Sequence, residues 1–341
     1  MKTIVLDEPG KLRATSTEEP AAPGAGEALV SVRTIGVCGT DYHAYRGRQP
    51  FFTYPRILGH ELGVEVLEVG PDVANVRPGD RCAVEPYLNC GRCRACRAGR
   101  TNCCATLQVL GVHTDGGMRE RIVVPAHKLH RSDSLSLEQL ALVETLGIGA
   151  HAVSRSGLTA ADEAVVIGAG PIGLAVTQFA LAAGARVLVL DVSPARLDFC
   201  RTRLGATDVM VSGEDLAGRV RERLGGELPS VVFDATGSVA SMEKSFELAA
   251  QGGRLVFVGL VQAEVKFWDP EFHRREITLS ASRNSSTSDF RGVLAAVESG
   301  RIDTRPWITH RAPLDGLLEV FPQWLDPATG VVKALVTLPH S

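Results

Sequence analysis

The sequence predicts an α/β protein in two parts, a doubly wound parallel sheet in the second half of the chain and a mostly β domain ahead of it. Residues 164–282 alternate short apolar runs with stretches of helical period, as in AVVIGAG, PIGLAVTQFALAAGA, RVLVLDVS and PARLDFCRTRLGA. Strands apolar on both faces belong to a parallel sheet covered by helices on each side. The first 145 residues instead alternate apolar and polar side chains between Pro and Gly turns, the period of half-buried strands. Finally, one apolar run passes directly into the glycine-rich turn Gly168-Ala169-Gly170-Pro171-Ile172-Gly173 and then into a helix.

Taken in chain order, VLDEPGKLRAT, EALVSVRTIGVC and IVVPAHKLHRSD read as strands, with an aperiodic Gly/Cys/Arg-rich lobe over about residues 86–105. The texture changes near residue 146, where LGIGAHAVSRSG carries apolar residues at helical spacing. DVMVSG, VVFDATG and RLVFVGL continue the strand series, which closes at ITLSAS, residues 277–282. DFRGVLAAVESG then reads as a helix and VKALVTL as a strand returning to the first domain. The expected domains are therefore residues 1–145 with 284–341, and residues 146–283.

Composition limits what the chain does. With 341 residues, 45% hydrophobic and 22% charged, it has the material for two packed cores. A net charge of −3 provides no field for nucleic acid or acidic lipid. The start, MKTIVLDEPG, lacks a basic and then apolar secretory pattern. The best membrane-span candidate, Leu140–Val153, is interrupted by Glu144 and His151. The expectation is a soluble cytoplasmic protein with neither nucleic acid nor membrane as partner. Five of the eight cysteines fall between residues 90 and 104, which in a reducing compartment points to metal rather than disulfides.

The turn Gly168–Gly173 has the surroundings that make a dinucleotide fingerprint specific: strand, glycines, helix, second strand and a terminal acid, Asp191. Gly168 serves the tight turn, Gly170 admits the pyrophosphate to the backbone, and Gly173 brings helix and strand together. Pro171 and Ile172 open the helix, whose free N–H groups face the phosphates. The Asp191 carboxylate accepts from ribose hydroxyls and repels a 2′-phosphate, which favours NAD over NADP. Arg196 either lies over adenine or is a solvated helix residue. Thr236, Val258 and Gly259 end apolar strands at the carboxyl edge, where such sheets bind ligands; strand-to-helix turn chemistry accounts for them equally well.

Cys90, Cys93, Cys96 and Cys104 form C-x2-C-x2-C-x7-C, four thiolates able to close a tetrahedron around zinc. Cys103 adjoins Cys104, and either residue can supply the fourth thiolate. Four arginines, Arg92, Arg94, Arg97 and Arg100, decorate this lobe. A second constellation, Cys38 to His43, His60-Glu61 and Glu144, offers thiolate, imidazole and carboxylate, donors suited to a zinc that keeps room for substrate. Taken singly, Cys38 and His60 are as readily a core thiol and a core histidine.

VCGTDYH, ILGHELGVEV, the four-cysteine lobe, RPGDRCAV, GAGPIG and DATG, in this order, resemble the zinc-containing medium-chain dehydrogenases over essentially the whole chain. Within that family the sequence is similar to the polyol, threonine and sugar-acid branch, through Glu144 in VETLGIGAHAV and stretches such as RGRQPFFTYPRILGHE and DPEFHRREITLSASRNSS. The resemblance implies a GroES-like catalytic domain and a Rossmann NAD domain. It implies a catalytic zinc on Cys38, His60 and Glu61, with Glu144 as an exchangeable fourth ligand, beside the structural zinc. It gives Thr40 the proton of the reacting alcohol and His43 its passage outward. It also implies a homotetramer or homodimer and a polyhydroxylated small-molecule substrate, a sugar acid such as L-galactonate first. A polyol or L-threonine dehydrogenase is the alternative, and from another class a non-catalytic dinucleotide sensor with a basic zinc module. Phe51, Phe52 and His113 are expected to line the substrate pocket, although aromatic residues also serve the core. Arg283 either takes the substrate carboxylate or pairs with an acid across a domain or subunit boundary. The family usually has proline after the glutamate, where this chain has Thr145.

Overall fold

In the second half of the chain, six parallel strands form one sheet in the spatial order Asp208–Val211, Arg186–Asp191, Glu163–Ile167, Val231–Asp234, Arg254–Phe257, Thr278–Ala281. That is the doubly wound order, whose direction reverses beside Glu163–Ile167. The computed structural model describes residues 1–206 and 208–339. They form two compact units: Met1–Thr145 with Ser286–Gly300 and Thr304–Ser341, and Leu146–Ser285 with Arg301–Asp303. The sequence reading places 301–303 in the first unit, but Gln178 Nε2 donates to the Asp303 carbonyl at 3.2 Å and ties this segment to the second.

The strands of the second unit bury alternate residues on both faces because helices such as Pro171–Ala182 and Pro194–Arg203 cover the sheet. Val165, Leu188, Val232 and Leu255 form the middle of one core cluster. The outermost strand, Thr278–Ala281, has Leu279 38% exposed.

The first unit is built on a seven-stranded sheet with the order Ile308–Pro313, Lys333–Thr337, Glu27–Val37, Glu61–Val69, Arg81–Val84, Leu129–Arg131, with Arg121–Pro125 also paired to Glu27–Val37. The VKALVTL segment does return to this domain, parallel to Ile308–Pro313 and antiparallel to Glu27–Val37. The run IVVPAHKLHRSD, read as one strand, is two, separated by the 3-10 turn Ala126–Lys128. Sequence pattern did not resolve the short helices Gly39–Tyr45 and Leu317–Gln323, each of seven residues. No helix among the described residues is long and apolar enough to cross a membrane.

Candidate active site and metal centres

The strand Glu27–Val37 runs into Cys38, which caps the helix Gly39–Tyr45. The Cys38 backbone N–H donates to Asp41 Oδ2 at 2.9 Å, completing the cap. The neighbouring antiparallel strand begins at Glu61, directly opposite Gly36. This pairing brings donor atoms of Cys38, His60 and Glu61 within 4.8 Å of one another, with His60 and Glu61 buried. Thr40 and His43 lie on the capped helix just beyond.

Three features of the pocket fit a dication. Asp41 Oδ1 and His60 Nδ1 are buried 3.8 Å apart, and neither has a hydrogen-bond partner, so a small shift of His60 onto an ion through its other nitrogen completes a carboxylate–imidazole pair. Burial opposes the Glu61 carboxylate charge, but the Lys333 ammonium and then His60 outweigh it and hold its pKa below the ordinary value. Burial, with Glu61 beside it, raises the Cys38 thiol, a cost that a coordinated cation removes.

Glu144 stands outside the three-donor group. Its carboxylate is buried and accepts from the Tyr87 hydroxyl, and burial together with the charge of Glu61 keeps its pKa above the ordinary value. Thr145 donates from Oγ1 to Glu61 Oε1 at 2.7 Å.

Lys333, missed in the sequence, is 2% exposed and donates to both Glu61 oxygens at 2.7 Å. Its signal is a single lysine in the otherwise apolar strand VKALVTL, since a charge there needs an opposite partner. Asp41 was legible in VCGTDYH, and its burial at 0% exposure gives it a place in the site.

The four-cysteine lobe gathers Cys90, Cys93, Cys96 and Cys104 into a second group within 4.8 Å. Cys104 is buried and Cys103 exposed, which decides between the two candidates for the fourth thiolate. Backbone N–H groups of Arg92 and Cys93 lower the Cys90 thiol to about 6. Cys96, partly desolvated and sharing hydrogen bonds with Cys93 and Cys104, is pushed up to about 11. Four such thiols cannot all ionise without a cation, and their closed arrangement leaves no place for substrate.

In the second unit, Gly168 has φ 100° and its missing Cβ would lie 3.2 Å from Thr236 Cγ2, so the turn abuts the end of the strand Val231–Asp234. A Cβ on Gly173 would meet the Gly168 carbonyl oxygen at 1.6 Å, whereas one on Gly170 would meet nothing within 4 Å. Helix and strand therefore touch at Gly173, while Gly170, the cap of Pro171–Ala182, leaves open space above the helix N-terminus. Ile172 is half-buried in its first turn. Asp191 Oδ2 accepts from the Ala169 N–H at 2.6 Å and Oδ1 from the Ser193 N–H at 2.8 Å, so the acid also braces the turn. Val258 and Gly259 both donate N–H to the Asp234 carbonyl, and Thr236 Oγ1 donates to the Asp234 carboxylate. Arg196 is exposed on its helix.

Of the residues expected at the substrate, Phe51 and His113 come together, rings stacked with centroids 6.4 Å apart. Phe52 packs against the core of the first unit, edge-on to Tyr54 at 4.8 Å. Arg283 is exposed just past the carboxyl end of the strand Thr278–Ala281.

Residues 24–134 match the alcohol dehydrogenase GroES-like domain family and residues 171–299 the zinc-binding dehydrogenase family. The chain is 40% identical to L-galactonate-5-dehydrogenase of Escherichia coli K12 over 337 residues, 99% of each chain. A dehydrogenase of Escherichia coli CFT073 solved with NADH superimposes with a TM-score of 0.92 at 30% identity, covering 99% of both chains. A zinc-binding dehydrogenase of Sinorhizobium meliloti solved with NADP gives 0.88 at 31%, covering 98% of both.

Proposed function

The chain belongs to the zinc-binding medium-chain alcohol dehydrogenases, and from that premise we propose that it oxidises one secondary alcohol of a sugar acid, L-galactonate first, with NAD. The observation that carries the reaction class is the Cys38, His60, Glu61 group, three protein donors where a closed structural zinc shell has four. The substrate assignment rests on the relative 40% identical over 99% of the chain. When bound, zinc supplies Lewis-acid polarisation of the alcohol and NAD accepts the hydride.

The chain's own residues supply the rest. Thr40 takes the alcohol proton at its hydroxyl. His43 carries it outward: partial cover over its ring, then the cations Arg46 and Arg48, hold the imidazole below its ordinary pKa and so neutral and receptive. Asp191, at the end of its strand, favours the ribose hydroxyls of NAD over a 2′-phosphate. Phe51 and His113 cover the substrate, and Arg283 takes its carboxylate in a bidentate pair. Glu144 would serve the zinc as an exchangeable fourth donor. The protein works in the cytoplasm as a homodimer or homotetramer. The exposed edge Thr278–Ala281, with Leu279, supports that assembly, because such edges are normally covered. Light scattering on the eluted protein reads the mass, and a monomer would reject the assembly.

A panel of aldonates, neutral polyols, hydroxy amino acids and aliphatic alcohols tests the substrate by kcat/KM with NAD. Preference for aldonates is expected. In Arg283→Lys, efficiency should fall far more on aldonates than on neutral polyols. A wild-type enzyme that prefers any other class to every aldonate defeats the assignment.

A further inference from the structure

Glu61 is 0% exposed, and its surroundings dictate which of its oxygens is available. The strand Glu27–Val37 lies between the strands carrying Lys333 and Glu61, and Gly36 on it is paired with both Glu61 and Leu335. A Cβ on Gly36 would lie 2.0 Å from Glu61 Oε2, so only glycine there lets the carboxylate lie across the strand to meet Lys333. Lys333 Nζ donates to both oxygens at 2.7 Å and to the Val37 carbonyl at 3.3 Å. An ammonium astride a carboxylate is an even contact that leaves the group free to rock about it. Thr145 breaks the symmetry, because its hydroxyl, on a residue 1% exposed, adds a second donor to Oε1 alone, at 2.7 Å. Each carboxylate oxygen has two lone pairs. Oε1 is filled by Lys333 and Thr145, and Oε2 keeps one lone pair open.

We propose that Thr145 is a positioning residue that locks the Glu61 carboxylate and leaves Oε2 as its single oxygen for the catalytic-site cation. The inference rests on the reading of Cys38, His60 and Glu61 as zinc ligands.

The test uses the zinc-loaded full chain and follows zinc loss to a chelator, with total zinc counted beforehand. Thr145→Val keeps the shape and removes the donor, and Thr145→Ser keeps the donor. Wild type should hold two zinc ions. Thr145→Val should lose one of them about ten-fold faster, as expected when an outer-shell partner is removed. The four-cysteine zinc and the thermal midpoint should not move, and Thr145→Ser should restore wild-type loss. A structural role alone would shift the midpoint and both zinc ions together. Unchanged or slower loss in Thr145→Val, or no recovery in Thr145→Ser, overturns the proposal while the ligand reading stands. If wild type holds only the four-cysteine zinc, the ligand reading falls and takes the proposal with it.

Discussion

At the scale of single residues, charge and its compensation decide the chemistry. Asp191 braces the glycine-rich turn through the Ala169 N–H, and the proposed function gives it a second task, rejection of a 2′-phosphate. Asp191→Ser should therefore raise the NADP-to-NAD ratio of kcat/KM by about ten-fold, the effect of losing roughly 1.4 kcal/mol of discrimination. Its thermal midpoint should also fall, because the brace is gone. An unchanged cofactor ratio would limit Asp191 to the structural task. His43 gives a pH prediction. Its pKa lies below the ordinary 6.5, so it is neutral at pH 7, and activity should fall only as acid protonates it. His43→Asn should lower kcat at pH 7 by about ten- to a hundred-fold and remove that acid limb. A profile identical to wild type would take His43 out of proton transfer.

At the scale of elements, a buried polar network joins the C-terminal return to the first unit. Glu85, 0% exposed, accepts from Lys128 Nζ at 2.5 Å and from Thr287 Oγ1 at 2.9 Å, and its other contact is His130 Nε2 at 3.0 Å. Lys128 also donates to Asn89, which points its amide at Cys96 Sγ. The network thus connects the thiolate lobe, the strand Leu129–Arg131 and the first turn of the helix Thr287–Glu298. Glu85→Gln leaves Lys128 buried without its counter-charge, and a cost on the order of 3 kcal/mol is expected in urea unfolding. A loss below about 0.5 kcal/mol, as at ordinary surface sites, would show that the network does not carry the attachment.

For the whole molecule, the two metal centres should separate by function. Two zinc ions per chain are expected from elemental analysis. Cys93→Ser should lose stability along with metal, because a filled thiolate shell contributes folding energy. Cys38→Ser should abolish turnover with the thermal midpoint nearly unchanged, because its centre is one corner of a sheet that holds itself together by packing. One zinc or none in a well-folded, active protein would overturn this division.

Most of the architecture was legible because it rests on local rules. The glycine turn, the wholly apolar strands and the four-cysteine spacing each signal their structure within about thirty residues, and a parallel sheet covered by helices follows from the alternation. Cys38, His60 and Glu61 were legible as candidate metal donors by residue type and motif, and the fold brings the three together. Sequence could not show what lies across a sheet or at the bottom of a pocket. Lys333 stands 272 residues from Glu61, and Thr287 stands 202 from Glu85, so no local pattern connects them. The choice of Cys104 over Cys103 turned on which side chain the lobe buries. Glu144 was legible by residue type, but only the fold shows that its carboxylate accepts from Tyr87 and that the neighbouring Thr145 hydroxyl reaches Glu61. Residue type and spacing determined which chemistry the chain carries. Tertiary structure decided which donor meets which acceptor, because a buried charge takes the partner that packing brings to it.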